Sequence, residues 1–240
     1  GYQSANSARF NSASSDYLNR TPSSASNRKT FTFSFWVKRT TLGTNDTIYN
    51  VRPDGNGANR ISFHSSDTFR IAIEPPNKHV YTTRVFRDVS AWYHIVVAFD
   101  TTQGTASNRV KLYVNGVLET AYAVGTYPSV NTNLFLNKAS QSQRIGRQAY
   151  SAIDFFDGYM AETVMIDGSQ LAPTSFGEFN SQTGIWVPKS VTGLTFGTNG
   201  FYLPFTNASA LGEDFSGNDN DFTVNNLTSL DQSTDTCSTN

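Results

Sequence analysis

The chain has 240 residues, of which 15% are charged and 13% aromatic, and a net charge of −1. That length holds one large domain or a medium domain with an added piece, and so small a net charge gives no global field to attract nucleic acid or an anionic membrane. A single cysteine, Cys237, excludes a disulfide framework within the chain, no apolar run approaches membrane-spanning length, and the start GYQSANSARF lacks a signal-peptide core.

Low charge with abundant Phe, Tyr, Ser, Thr, Asn and Gly is the composition of an all-β protein with long polar loops. The pattern predicts strands at 8–10 and 16–19, then at 31–38, where Phe31, Phe33, Phe35 and Val37 share one face. Further strands are predicted at 47–51, 60–64, 68–73 and 79–84. The segment 92–99 is apolar on both faces, with Tyr93, Ile95, Val97 and Phe99 on one and Trp92, His94, Val96 and Ala98 on the other, which predicts a strand buried on both sides. In 109–114, Val110, Leu112 and Val114 alternate with Arg109, Lys111 and Tyr113, the pattern of a half-buried strand. Asn115-Gly116 tolerates positive φ and predicts a two-residue hairpin turn into 117–122. Strands at 133–136, 143–147 and 159–166 follow, then a single helical turn around Pro173–Phe179, where Ser175 and Glu178 have capping-box spacing. Residues 201–205 and 221–227 read as two more strands. The alternation places Phe33, Phe35, Val37, Ile95, Val97, Phe99, Leu112, Val114, Tyr159 and Val164 inside. Many short strands with Gly, Asn and Pro turns and almost no helix predict an antiparallel two-sheet sandwich.

Charge divides the chain. All 18 Lys and Arg lie at or before Lys189, while residues 190–240 hold six acids and no Lys or Arg. The expectation is a sandwich over 1–189 and an acidic extension over 190–240. Its two short strands are too few to fold alone, so it packs on the sandwich, begins a following domain or is ordered by a neighbouring subunit.

Several landmarks in order resemble the laminin-G-like branch of the concanavalin A-like lectin/glucanase family: ARFNSASSDYL (8–18), FTFSFWVKR (31–39), WYHIVVAFD with VKLYVNGV, and IGR (145–147) followed by FDGYMAETVMIDGSQL (156–171). The resemblance spans roughly residues 8–180 and implies a jelly-roll sandwich of two curved antiparallel sheets. The wording is also similar to sandwich modules in structural proteins of marine tailed bacteriophages, where a stretch like FYLPFTNASALGEDFSGNDNDFTVNNL leads into further domains. The end TCSTN falls mid-pattern for such proteins, which implies a piece of a longer one.

Glycosidases on the implied fold place paired carboxylates on a Glu-x-Asp-x-x-Glu strand. That spacing is absent; Asp154, Asp157 and Glu162 come nearest, without an i, i+2 pair on one strand face. His64, His79 and His94 lack metal-ligand spacing, and His94 reads as a packed strand residue. No enzyme activity is therefore expected. The acidic loop 213–221 is similar to an Asp-x-Ser-Gly-Asn-x-Asn motif of laminin-G-like sequences, which implies a calcium site of Asp214, Asn218, Asp219, Asn220 and Asp221. The competing reading is an Asx-rich turn, which the frequency of acidic surface loops favours. The family's Asp-Glu pair is Ala161-Glu162 here, so one ligand is missing. In the polar loop 50–60, Arg52, Asp54, Asn56 and Asn59 are candidate sugar contacts, with Tyr49 as a stacking face; Trp92, Tyr113 and Tyr150 are further candidate platforms. The plain alternative is a connecting loop with buried aromatics.

The resemblance implies a non-catalytic virion structural or appendage module, a tail or head fibre or a decoration, made in the host cytoplasm. Expected partners are other virion proteins, host-surface glycans and further copies of itself, a trimer if it is a fibre; neither nucleic acid nor membrane insertion is expected. The alternative is a lectin-like carbohydrate-binding domain of a cell-surface or secreted bacterial protein, and a glycan hydrolase comes last.

Overall fold

The computed structural model describes residues 1–54, 57–74 and 77–238, with the side chains of all of these except residues 53 and 54. The strands are β1 (Ser7–Phe10), β2 (Tyr17–Arg20), β3 (Thr30–Arg39), β4 (Asp46–Asp54), β5 (Gly57–Phe63), β6 (Thr68–Glu74), β7 (Lys78–Val85), β8 (Tyr93–Asp100) and β9 (Val110–Val114). They continue as β10 (Val117–Leu118), β11 (Tyr122–Gly125), β12 (Gln143–Ile145), β13 (Gly158–Asp167), β14 (Gly177–Phe179), β15 (Trp186–Pro188), β16 (Phe201–Leu203), β17 (Thr223–Asn225) and β18 (Gln232–Ser233). Helix among the described residues amounts to four short 3-10 turns, and none is long and apolar enough to cross a membrane.

The fold is all-β: two antiparallel sheets face each other in a jelly-roll sandwich. The first sheet runs β10-β9-β8-β3-β13-β1-β18, with β16 also paired to β13; the second runs β11-β7-β6-β5-β4-β12-β2-β17. The inner faces make one core, in which Phe33 stacks on Tyr49 at 4.8 Å and lies edge-on to Phe201. The apolar alternation of 31–38 and 92–99 explains this, since β3 and β8 pair along their length and are buried on both faces. At the predicted hairpin, Asn115 and Gly116 take φ of 48° and 80° and Val114 pairs with Val117.

The chain then changes sheets. The predicted strand 117–122 divides into β10 in the first sheet and β11 in the second. The predicted strand 133–136 forms no ladder; Leu134 and Leu136 enter the core from a loop whose amides at 135 and 136 are held by the Asn59 side chain. The turn Pro173–Ser175 has no side-chain cap, and Glu178 belongs to β14, so the Ser175–Glu178 capping box does not form. Val164 is buried, but on the outer side of the first sheet, and Tyr159 is only half-buried there. Residues 190–240 enter both sheets: β16 pairs with β13, β17 with β2 and β18 with β1, and Phe201, Leu203, Phe205, Leu211, Phe222 and Leu227 join the main core.

Candidate functional site

Inner residues of β3 alternate with outer ones, and the outer set is Thr32, Ser34 and Trp36. Trp36 pairs across strands with His94 of β8, their rings stacked with centroids 4.7 Å apart. The hairpin β14–β15 folds over this face and brings in Trp186, whose Nε1 donates to His94 Nδ1 at 2.9 Å. An indole N–H only donates, so Nδ1 carries no proton; the ring proton is on Nε2, which donates to Ser34 Oγ at 2.9 Å. Burial pushes the His94 pKa down to about 3 and keeps the ring neutral. Gly116 and Gly177 pack against the Trp186 ring, which a Cβ at either position would overlap. Trp92 donates from Nε1 to Asp235 Oδ1 at 3.0 Å, and Lys38 holds the other oxygen of that carboxylate at 2.9 Å.

All three tryptophans of the chain thus converge on one cavity of about 340 Å³. The tryptophans form a nearly buried floor, while Phe179 and Ile185 on the rim are 56% and 59% exposed. Asn115, Asn180, Gln3 and Ser238 supply polar groups around it. Of these aromatics sequence reasoning singled out only Trp92. The signal for Trp36 was its place on the face of 31–38 opposite Phe33 and Phe35; for Trp186 no local signal existed, because a distant hairpin delivers it.

The carboxylates that come nearest a glycosidase spacing do not line this cavity. Glu162 sits at a bulge in β13 with φ 46° and accepts from Tyr202 at 2.6 Å and from Tyr2 at 3.1 Å. Burial raises its pKa, and burial with the neighbouring carboxylate pushes Tyr2 up to about 12. Asp157 accepts from the Ser12 amide and hydroxyl, and Asp154 from Gln148 and Arg60. The three acids nearest a glycosidase pattern therefore serve three separate hydrogen-bond systems.

The predicted sugar loop is not assembled as expected. Tyr49 is 1% exposed in the core, stacked on Phe33, so it offers no face to a ligand. Asn59 is buried, its oxygen accepting the amides of Phe135 and Leu136. Arg52 lies on the outer side of the second sheet, donating to Gln148 and standing 5.1 Å from the exposed Tyr150 ring. The side chain of Asp54 and the whole of Asn56 lie outside the described residues. Tyr113 packs beside the small outer cluster around Val96.

The acidic loop folds as the Asx-rich turn. Asp214 accepts the amides of Tyr202, Ser216 and Asn220 and the Ser216 hydroxyl. The Asn218 and Asn220 amides donate to backbone carbonyls of 197, 198 and 200, and the Asn220 oxygen accepts from Arg20. Asp221 caps the Asp214 amide, and Asp219 is exposed with φ 55°. Calcium needs six to eight converging oxygens, and these residues do not fit it. No group of three or more metal-ligating side chains occurs among the described residues.

Residues 12–171 match the sequence profile of a laminin G family described as the concanavalin A-like lectin/glucanases superfamily. No curated protein matches the chain. Among solved structures, a putative carbohydrate-binding protein from Bacteroides ovatus is similar over 93% of this chain and 59% of its own, with TM-score 0.55 and 14% identity. A native heptameric SAP-like pentraxin from Limulus polyphemus covers 72% of this chain and 80% of its own, with TM-score 0.51 and 15% identity. A variant of NanB sialidase from Streptococcus pneumoniae covers 74% of this chain and 29% of its own, with TM-score 0.50 and 12% identity. At these identities the likeness is one of fold.

Proposed function

The chain belongs to the concanavalin A-like lectin/glucanases superfamily, and we propose that it is a lectin-like carbohydrate-binding module that does not turn its ligand over. One observation carries this reading: the convergence of Trp36, Trp92 and Trp186 on a single open cavity. Its volume suits a small ligand or one ring of a larger one, and a few polar groups around an apolar floor are what orient such ligands. A pyranose has an apolar face of C–H groups that an aromatic surface accepts, and hydroxyls that Asn115, Asn180 and Gln3 would bond. So small an open site implies weak single-site affinity, which several linked copies would raise through effective concentration. The absence of turnover rests on Glu162, Asp154 and Asp157, each held in a separate hydrogen-bond system.

The setting in a phage fibre or decoration, with other virion proteins as partners and host-surface glycan as ligand, rests on the sequence wording of 201–227. The pentraxin, carbohydrate-binding protein and sialidase named above lend it nothing, and the cell-surface or secreted lectin-like domain is the reading we place first. Homo-oligomerisation is part of the proposal in either setting, and light scattering on the natural form tests it.

A glycan array, followed by tryptophan-fluorescence titration of the hits, tests the sugar site. Binding that quenches fluorescence and is lost in Trp186→Ala, with Trp186→Phe in between, is the expected result. Silence across neutral and acidic glycans would sink the reading, and release of reducing ends would overturn its non-catalytic part.

A further inference from the structure

The outer face of the second sheet, on the other side of the sandwich from the tryptophan cavity, carries a charge pattern unlike the rest of this near-neutral chain. In a row across four adjacent strands, Arg144 of β12 pairs with Asn50 of β4, Asn50 with Arg60 of β5, and Arg60 with Ala72 of β6. One step along, Ser62 of β5 pairs with Arg70 of β6. Arg52 and Arg147 extend the patch, giving five guanidinium groups against two carboxylates, Asp154 and Glu74, among the described side chains.

Two of these arginines lack partners they need. Arg70 is only 7% exposed; its Nε donates to Ser62 Oγ at 3.1 Å, but its Nη2 is buried with no partner among the described residues. Arg60 Nε is in the same condition, and its Nη1 reaches Asp154 only at 3.5 Å. A charged donor taken from water without an acceptor is unfavourable. The two groups also repel: burial and then Arg70 push the Arg60 pKa down to about 10. Their positive charge reaches the neighbouring His64 and His79, whose pKa values burial and these arginines lower, though Glu74 opposes the shift at His79. An oxyanion seated over the patch would offset the repulsion and the unpaired positive charge, and the exposed guanidinium edges can bind oxyanions through paired N–H donors.

We propose that this patch binds the oxyanion groups of an acidic polysaccharide, at a site separate from the tryptophan cavity. The three strand spacings from β12 to β6 cover about 14 Å, which suits several anions on one polymer better than a single small ion. The oxyanion can be a carboxylate or a sulfate, since both present the same acceptors.

The test uses the intact chain, with polygalacturonate, dextran sulfate, neutral dextran and double-stranded DNA as immobilised probes. Polygalacturonate, dextran sulfate or both should bind, and that binding should collapse on raising salt to about 0.5 M, whereas any binding of neutral dextran in the tryptophan cavity should be indifferent to salt. The probe that binds tells carboxylate from sulfate. Arg60→Gln with Arg70→Gln should weaken binding about tenfold or more. Because Arg70 is buried, the outward-facing Arg144→Gln is made as well; it should also weaken binding, with an unchanged melting temperature. Failure of both acidic polysaccharides, tighter binding of DNA, or full affinity in folded Arg60→Gln and Arg144→Gln variants would each overturn the proposal. Neutral glycans report on the tryptophan cavity, so the two sites fail or succeed separately.

Discussion

Arg39 shows how much a single side chain organises here. Its guanidinium is fully buried, pairs with Asp46 and Asp67 at 3.1 Å each, donates to the Phe86 carbonyl and lies 4.6 Å from the Phe63 ring centre. Removing it strands Asp46, which has no other cation in reach among the described residues, while Asp67 keeps Arg87 at 3.0 Å. Arg39→Leu should cost about 3–5 kcal/mol, read as a lower denaturant midpoint with unchanged slope. His94 makes the pH dependence predictable. Its folded pKa is depressed to about 3 from 6.5. Below pH 6.5 the unfolded chain therefore takes up a proton that the folded chain refuses. Stability should fall as pH drops from about 6.5 toward 3, by at most about 1.4 kcal/mol per pH unit from this residue. Urea melts of His94→Gln and the parent between pH 4.5 and 6.5 should differ in slope by that amount; parallel slopes would show that His94 is not held neutral.

At the scale of elements, the hairpin β14–β15 controls the cavity because it carries Trp186. Gly177 has no unusual φ, so its role is steric: a Cβ there overlaps the indole. Gly177→Ala should cost about 1–3 kcal/mol and shift tryptophan emission to the red, whereas Gly104→Ala, with open space around it, should do neither. The elements were legible in the sequence where one rule decided them. The two-faced apolar run of β8, the alternation of β9 and the Asn115-Gly116 turn each follow from side-chain period or backbone freedom alone. The segment around Leu134 and Leu136 misled because alternation also arises when a loop drops side chains into a core. Tyr49 misled for the same reason as Asn59: a residue beside a polar loop can still face inward, and only sheet register decides. The tryptophan cavity was the least legible part, since its floor joins residues from β3, β8's leading edge and a hairpin 92 positions beyond His94.

For the whole molecule, the acidic C-terminal stretch is a structural part of both sheets. Six of its large apolar side chains lie in the main core, and at about 1.5–3 kcal/mol each their burial is comparable with the entire stability of a typical domain. A chain cut after Lys189 should therefore show no cooperative thermal transition; a sharp one would mean that 1–189 folds alone. The pairing of β1 with β18 has a mechanical consequence. Ser7 faces Ser233, and the Ser4 amide bonds the Ser238 hydroxyl, so the two ends of this stretch leave the sandwich side by side. Tension applied through both ends would act on an antiparallel pair from one end and break its bonds in succession, a peeling geometry that yields at low load. Tyr2 and Ser238 line the tryptophan cavity, so the same pull would take down its wall before the sandwich gives way, and a ligand held there would be released by stretching.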